Sequence, residues 1–212
     1  MKISLSILSC NSIEDAINKV NNTNTDYLHL DVMDGMFVPN TSYSIEEIKY
    51  IISNSNKKID AHFMVNDPIK YLNELKEYNL EYFTFHVELD NVKYLINKIK
   101  ENNYKVGLSI KPNTDINVLK EYLDDIDLIL VMSVEPGKGG QTFINSTVDR
   151  ISEIKNLIGN RNIKIAVDGG INNNTIKLIN NADIAVVGSY ITSSTNYQEK
   201  IDILRSNNEQ NS

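Results

Sequence analysis

The stretch HLDVMDGMFVPN, residues 29–40, carries a histidine and two carboxylates close together: His29, Asp31 and Asp34. His29 and Asp31 stand two apart in the run 26–33, which reads as a β-strand, so both side chains point to the same face. A polar pair on one face of an apolar strand is costly to bury without a partner. A metal ion, a substrate or a hydrogen-bond network can serve. The chain holds three histidines, His29, His62 and His86, each in or near the C-terminal half of a strand-like run. Asp168 closes another such run, IAVD. Together His29, Asp31, His62 and Asp168 suit a divalent transition metal with positions left open for a substrate. Any one of the four, taken alone, reads equally well as a cap or a loop hydrogen-bonder. Asp34 falls on the other side of the strand from Asp31, and the turn at Gly35 makes it a loop hydrogen-bonder. His86, in FHVE, is read as lacking a carboxylate placed as Asp31 is beside His29, and is given a supporting or structural role.

Seven of the nine glycines fall in the opening stretch or after three later strands: Gly35, then Gly137, Gly139 and Gly140, then Gly169 and Gly170, then Gly188. Gly-rich loops let backbone N–H groups approach an anion closely, and Ser189 adds a hydroxyl, so these loops read as a phosphate site. Lys138, within GKGG, supplies a cation there or is a solvated surface lysine. A metal between two carboxylates, with phosphate beside it, suits inversion at carbon. One carboxylate removes a proton from one face and the other returns a proton to the opposite face. A metal beside the carbonyl acts as a Lewis acid and stabilises the enediolate formed in between.

These residues need a scaffold that gathers strand ends. Short β-like runs alternate with helical runs along the whole chain, making eight βα units. Ser12-x-x-Asp15 and Ser44-x-x-Glu47 resemble capping boxes, and Pro68 opens a third helix. Further helices are expected over about 116–122, 173–180 and 198–204, with a polar, frayed tail over 205–212. Eight βα units predict a parallel sheet closed into a single-domain (β/α)8 TIM barrel over residues 1–212. The active site of such a barrel lies at the C-terminal strand ends, with phosphate held by the loops after the last two strands. Asp168 is then expected across the barrel from Asp31. The net charge of −7 argues against a general nucleic-acid binder. No apolar run approaches the ~20 residues needed to span a bilayer. The single cysteine, Cys10, excludes an internal disulfide, reads as a small core residue and fits a reducing, cytoplasmic location.

With these residues in place, the chain closely resembles the ribulose-phosphate 3-epimerase family from about Ile3 to Thr192. The resemblance rests on YLHLDVMDGMFVPN (27–40), AHFMV (61–65), VMSVEPGKGGQTF (131–143), VDGGIN (167–172) and VVGS (186–189), with shorter matches at SILS, FHVE and KVGLSIKP. It implies that His29, Asp31, His62 and Asp168 bind one divalent metal ion (Zn, Fe, Mn or Co), and that Asp31 and Asp168 are the acid/base pair. It implies that Ser6 and His62 contact substrate, and that Gly139, Gly140, Gly169, Gly170, Gly188 and Ser189 hold its phosphate. Met33, Met64 and Met132 match a set lining the site, where apolar thioethers would exclude water. The implied reaction interconverts D-ribulose 5-phosphate and D-xylulose 5-phosphate, the partner being a phosphorylated ketopentose and the expected assembly a homo-oligomer. Leu5, Phe63, Lys138 and the segment TSYS (41–44) depart from the family pattern without touching the proposed ligands. Rival readings are an epimerase of another ketose phosphate such as allulose 6-phosphate, a metal-free lyase or synthase on the same barrel, and a non-catalytic binding barrel.

Overall fold

Strand and helix segments alternate along the chain, and local chemistry sets their ends. The computed structural model of the chain describes residues 1–209. Its strands are β1 Lys2–Ser6, β2 Tyr27–Met33, β3 Lys58–Met64, β4 Tyr82–His86, β5 Lys105–Ile110, β6 Leu128–Met132, β7 Lys164–Asp168 and β8 Ile184–Val187. The helices are α1 Ile13–Asn21, α2 Ile45–Asn54, α3 Pro68–Leu75, α4 Val92–Glu101, α5 Thr147–Ile158, α6 Ser189–Thr192 and α7 Tyr197–Glu209. Ser12 caps α1 by accepting from the Asp15 N–H, and Ser44 with Glu47 forms a complete capping box on α2. Asp67 caps α3, whose first residue is Pro68. Among the described residues no helix is long and apolar enough to cross a membrane.

The eight strands pair in sequence order, all parallel, and β8 closes on β1, giving the expected (β/α)8 barrel. Strand parity divides each strand between two environments. On β3, Ala61 and Phe63 join the outer core under the helices, while Asp60, His62 and Met64 turn inward. The barrel interior is itself divided. The side built by β6, β7 and β8 is packed with apolar groups such as Leu130, Ala166, Ile184 and Val186. The side built by β1 to β5 buries Ser4, Ser6, His29, Asp60, Thr84 and Ser109. Ser4 donates to Asp60 and Ser6 to Asp31, so part of this polar layer supports the upper rim.

Three expectations change. The segments after β5 and β7 form short 3₁₀ turns, Ile116–Glu121 and Thr175–Leu178, not α-helices. The Asn172 side chain accepts from the Asn174 and Thr175 N–H groups at the start of the second. The tail is not frayed from Arg205. The last helix runs on to Glu209, and Arg205 donates to the Asn24 carbonyl and the Asp26 carboxylate. Gln210–Ser212 lie outside the described residues.

Among the glycines, Gly107 leaves the least room for a side chain, where β5 pairs with β4. A Cβ on Gly107 would stand 2.1 Å from Thr84 Oγ1 and 2.9 Å from Thr84 Cβ. Thr84 is β-branched, fully buried and unable to swing clear. Gly107→Ala is therefore expected to cost about 1–3 kcal/mol. A thermal melt lowered by several degrees, with much of the loss recovered in Gly107→Ala/Thr84→Ala, is the outcome sought. An unchanged melt for the single variant would place slack where none is visible.

Candidate active site

The C-terminal ends of β2, β3 and β7 bring four side chains to one point. His29 and Asp31 come from β2, His62 from β3 and Asp168 from the last residue of β7, with one donor atom from each lying within 4.8 Å of all the others. β2 and β7 stand three strands apart in the ring of eight, with β8 and β1 between them, so the two carboxylates reach this point from well-separated sides of the barrel. His29 Nε2 lies 3.4 Å from Asp31 Oδ1 and 3.9 Å from Asp168 Oδ2. His62 Nδ1 lies 3.4 Å from Asp31 Oδ1 and 3.7 Å from Asp168 Oδ2. These separations are close without being hydrogen bonds, and both nitrogens are buried with no hydrogen-bond partner. Two imidazole nitrogens left unpaired beside two carboxylate oxygens fit the donor set of a divalent metal ion.

Each ring is held from behind. His29 Nδ1 stands 2.8 Å from Asp60 Oδ2, which also accepts from Ser4 Oγ at 2.9 Å. His62 Nε2 lies 2.9 Å from His86 Nε2, and His86 Nδ1 lies 3.1 Å from Glu88 Oε2. His86 therefore does have a carboxylate two residues on, correcting the expectation that it lacks one. Ser6 Oγ donates to Asp31 Oδ2 at 2.6 Å, leaving Oδ1 directed at the imidazoles. Sequence reasoning missed Asp60 and Glu88. Asp60 is separated from His62 by one residue, the same signal that singled out His29 and Asp31, and it pairs in register with His29. Asp34 is the loop hydrogen-bonder expected, accepting from the Met36, Phe37 and Asn66 N–H groups.

Burial and charge separate the two rim carboxyls. Burial opposes charge on Asp31, but His29 and His62 outweigh it and hold the group well below the usual carboxylate range. Burial and the neighbouring Asp31 charge push Asp168 up to about 6. Burial also opposes charge on His29, but Asp60 and Asp31 outweigh it and raise its imidazole well above the ordinary value. At β4, burial lowers His86 to about 4. Glu88 resists its own burial through bonds from His86, Thr114 and the Lys111 N–H, which hold it at about 2. The pattern is an ionised Asp31 beside an Asp168 that retains its proton into the near-neutral range.

Above the cluster opens a cavity of about 580 Å³. Asp31 and Asp168 stand in its floor with Met33, Met64 and Met132. Ser6, Gly139, Gly140, Gly169, Gly170, Gly188 and Ser189 all line it, so the glycines that the family resemblance assigns to phosphate reach one space, whereas Gly35 does not line it. His29 and His62 lie behind this lining, fully buried. Gly170 is needed on packing grounds as well. Its φ is 65°, and a Cβ there would stand 2.5 Å from the Phe143 nitrogen. Lys138 is the one lysine or arginine among the described lining residues and projects from an exposed loop. That loop is braced by Gln141, which donates to the Glu135 and Lys138 carbonyls. Asn40 of the loop after β2 ties to it through the Gly137 carbonyl at 2.7 Å.

A parallel barrel with two acidic groups and two unpaired imidazoles beneath a glycine-lined cavity at its C-terminal rim has the layout of a barrel enzyme. The model of the ribulose-phosphate 3 epimerase family matches residues 2–192. Ribulose-phosphate 3-epimerase of Bacillus subtilis is 32% identical over 213 residues, covering 97% of this chain and 98% of the relative. The Methanocaldococcus jannaschii enzyme of the same name is 34% identical over 212 residues, covering 97% and 90%. Among solved structures, 3-hexulose-6-phosphate synthase from Salmonella typhimurium superposes with a TM-score of 0.73 at 18% identity, covering 100% of both chains, a likeness of fold alone. The chain belongs to the ribulose-phosphate 3-epimerase family.

The raised Asp168 has a consequence for stability. Between the ordinary carboxylate range and about 6, folded protein binds a proton that unfolded chain does not. Stability of the metal-free fold therefore falls as pH rises through that window. Asp168→Asn removes the penalty. In chelator at pH 7 the variant is expected to melt several degrees above wild type, the gap closing on acidification below the window. Equal melts at both ends of the titration would deny Asp168 its raised proton affinity.

Proposed function

We propose that this chain interconverts D-ribulose 5-phosphate and D-xylulose 5-phosphate by inversion at C3. The observation that carries the reading is the convergence of Asp31 and Asp168, unequal in proton affinity, on two unpaired imidazole nitrogens beneath an open cavity. His29, Asp31, His62 and Asp168 would hold one divalent ion, with Zn, Fe, Mn and Co all compatible with mixed nitrogen and oxygen donors. Such an ion supplies Lewis acidity at the ketose carbonyl, stabilising the negative charge that proton removal creates.

The protein's own groups do the rest. Asp31 is ionised and takes the C3 proton, leaving an enediolate across C2 and C3. Asp168 delivers a proton to the opposite face of C3, and the return reaction exchanges the two roles. The Ser6 hydroxyl on Asp31 Oδ2 fixes the plane of that carboxylate and stands ready to meet substrate. Met33, Met64 and Met132 keep water from the enediolate, lowering the local dielectric and strengthening every charge interaction there. The substrate phosphate lies against the loops carrying Gly139, Gly140, Gly169, Gly170, Gly188 and Ser189, with Lys138 as the countercharge.

The test is a coupled assay for xylulose 5-phosphate, run on protein as purified, after chelation and after reloading. Activity lost and regained is expected; full activity in chelated, metal-free protein would exclude the metal. Asp31→Asn and Asp168→Asn should each lower kcat at least about 10²–10⁴-fold while the circular dichroism stays native. Near-normal turnover in either removes the two-carboxylate mechanism. His62→Ala should reduce the metal-to-protein ratio. Lys138→Phe should raise KM and flatten its salt dependence. A rate on allulose 6-phosphate exceeding that on the pentose would reassign the substrate.

A further inference from the structure

We propose that Glu88 and His86 form a positioning relay that decides which nitrogen of His62 carries its proton, keeping Nδ1 bare for a metal ion. The inference rests on the metal reading above and extends it to two residues outside the cavity floor.

A neutral imidazole carries one proton, on one of two nitrogens, and only the bare nitrogen can bind a metal. His62 turns Nδ1 toward Asp31 and Asp168 and Nε2 toward His86 Nε2, 2.9 Å away. Two Nε2 atoms at that distance require one N–H between them, donated by one ring and accepted by the other. Proximity alone does not say which ring donates. Glu88 does. Its Oε1 accepts from the Lys111 N–H at 2.7 Å and from Thr114 Oγ1 at 2.6 Å, and its Oε2 faces His86 Nδ1 at 3.1 Å. A carboxylate that already takes two donors on Oε1 is ionised and only accepts, so the atom facing its Oε2, His86 Nδ1, must carry the proton. His86 Nε2 is then an acceptor, His62 Nε2 is the donor, and His62 Nδ1 is bare. Reversing the first link reverses all of them.

The surroundings hold this order in place. The His86 ring is fully buried, and Phe37 covers it with ring centroids 4.6 Å apart. Arg150, on α5, donates to the Lys111 carbonyl at 3.0 Å and to the Thr114 carbonyl, clamping the short loop that anchors Glu88. His29 receives the same service in one step, from Asp60 on its Nδ1. The two imidazoles of the cluster are thus set by two carboxylates, one directly and one through an intervening ring.

The full chain labelled with ¹⁵N-histidine, metal-free and at mildly alkaline pH, gives the tautomers from long-range ¹H–¹⁵N correlations. Protons on His86 Nδ1 and His62 Nε2 are expected; a proton on His62 Nδ1 overturns the relay. In Glu88→Gln the amide can donate to His86 Nδ1, so His62 should shift its proton to Nδ1. Zn²⁺ affinity, measured by chelator competition, should then weaken about 10- to 100-fold. Unchanged Zn²⁺ affinity with an unchanged His62 tautomer in a folded Glu88→Gln also overturns it. If that variant does not fold, the wild-type spectrum still decides. Wild-type protein that takes up no Zn²⁺ defeats the metal reading itself, whereas Zn²⁺ bound equally by both proteins defeats only the relay.

Discussion

The structure depends on keeping two imidazole nitrogens unpaired beside two carboxylates at the buried rim of the barrel. Left to itself such a cluster is unfavourable, because unpaired polar atoms and close like charges both raise the energy of the fold. His29 Nε2 and His62 Nδ1 face Asp31 and Asp168 without hydrogen bonds, and Asp60 adds a third carboxylate behind His29. The protein accommodates this by giving one side of its barrel interior over to polar groups. Ser4, Ser6 and Asp60 lie on β1 and β3, and Thr84, His86 and Ser109 continue the arrangement through β5. The apolar packing lost there is made up on the β6–β8 side and in the thick layer between strands and helices. The site is thus a region of stored unfavourable energy on a well-packed frame, which a divalent cation would relieve.

The same crowding gives the two rim carboxyls different characters. Asp31 has His29, His62 and the Ser6 hydroxyl around it and stays ionised. Asp168 has the imidazoles at longer range and the Asp31 charge against it, so it holds a proton to about 6. Chemically identical side chains come to differ in proton affinity through placement alone, the difference that the proposed base and acid would use. A two-face inversion requires that complementarity in either direction of reaction.

Much of this was legible in the sequence because strand parity is a strict rule. His29 and Asp31 had to share a face, and eight alternating βα units had to bring strand ends to one rim. The glycines after the sixth, seventh and eighth strands reach one cavity because consecutive strands of a closed barrel are neighbours. What the sequence concealed depends on register and on contacts between elements. Asp60 lies one layer below the rim and matters only because β3 pairs with β2 so that it stands beside His29. Glu88 was in plain view next to His86, but its role requires the ring-to-ring contact with His62 that only the β3–β4 pairing creates. The segments expected as helices after β5 and β7 are 3₁₀ turns, a tighter winding that hydrophobic spacing over so few residues does not distinguish. The polar C-terminal segment stayed helical because Arg205 found Asp26 on the other side of the closed barrel seam.

The central claim is that two different carboxyls handle the proton on the two faces of C3. A single-turnover reaction of ribulose 5-phosphate in D₂O, with metal-loaded enzyme in excess and the product examined by NMR, addresses it directly. Xylulose 5-phosphate carrying deuterium at C3 in essentially every molecule is the result this account requires, because the arriving proton comes from a group equilibrated with solvent. Product that keeps the substrate's own hydrogen at C3 would mean that one group moves the proton from face to face, and would contradict it.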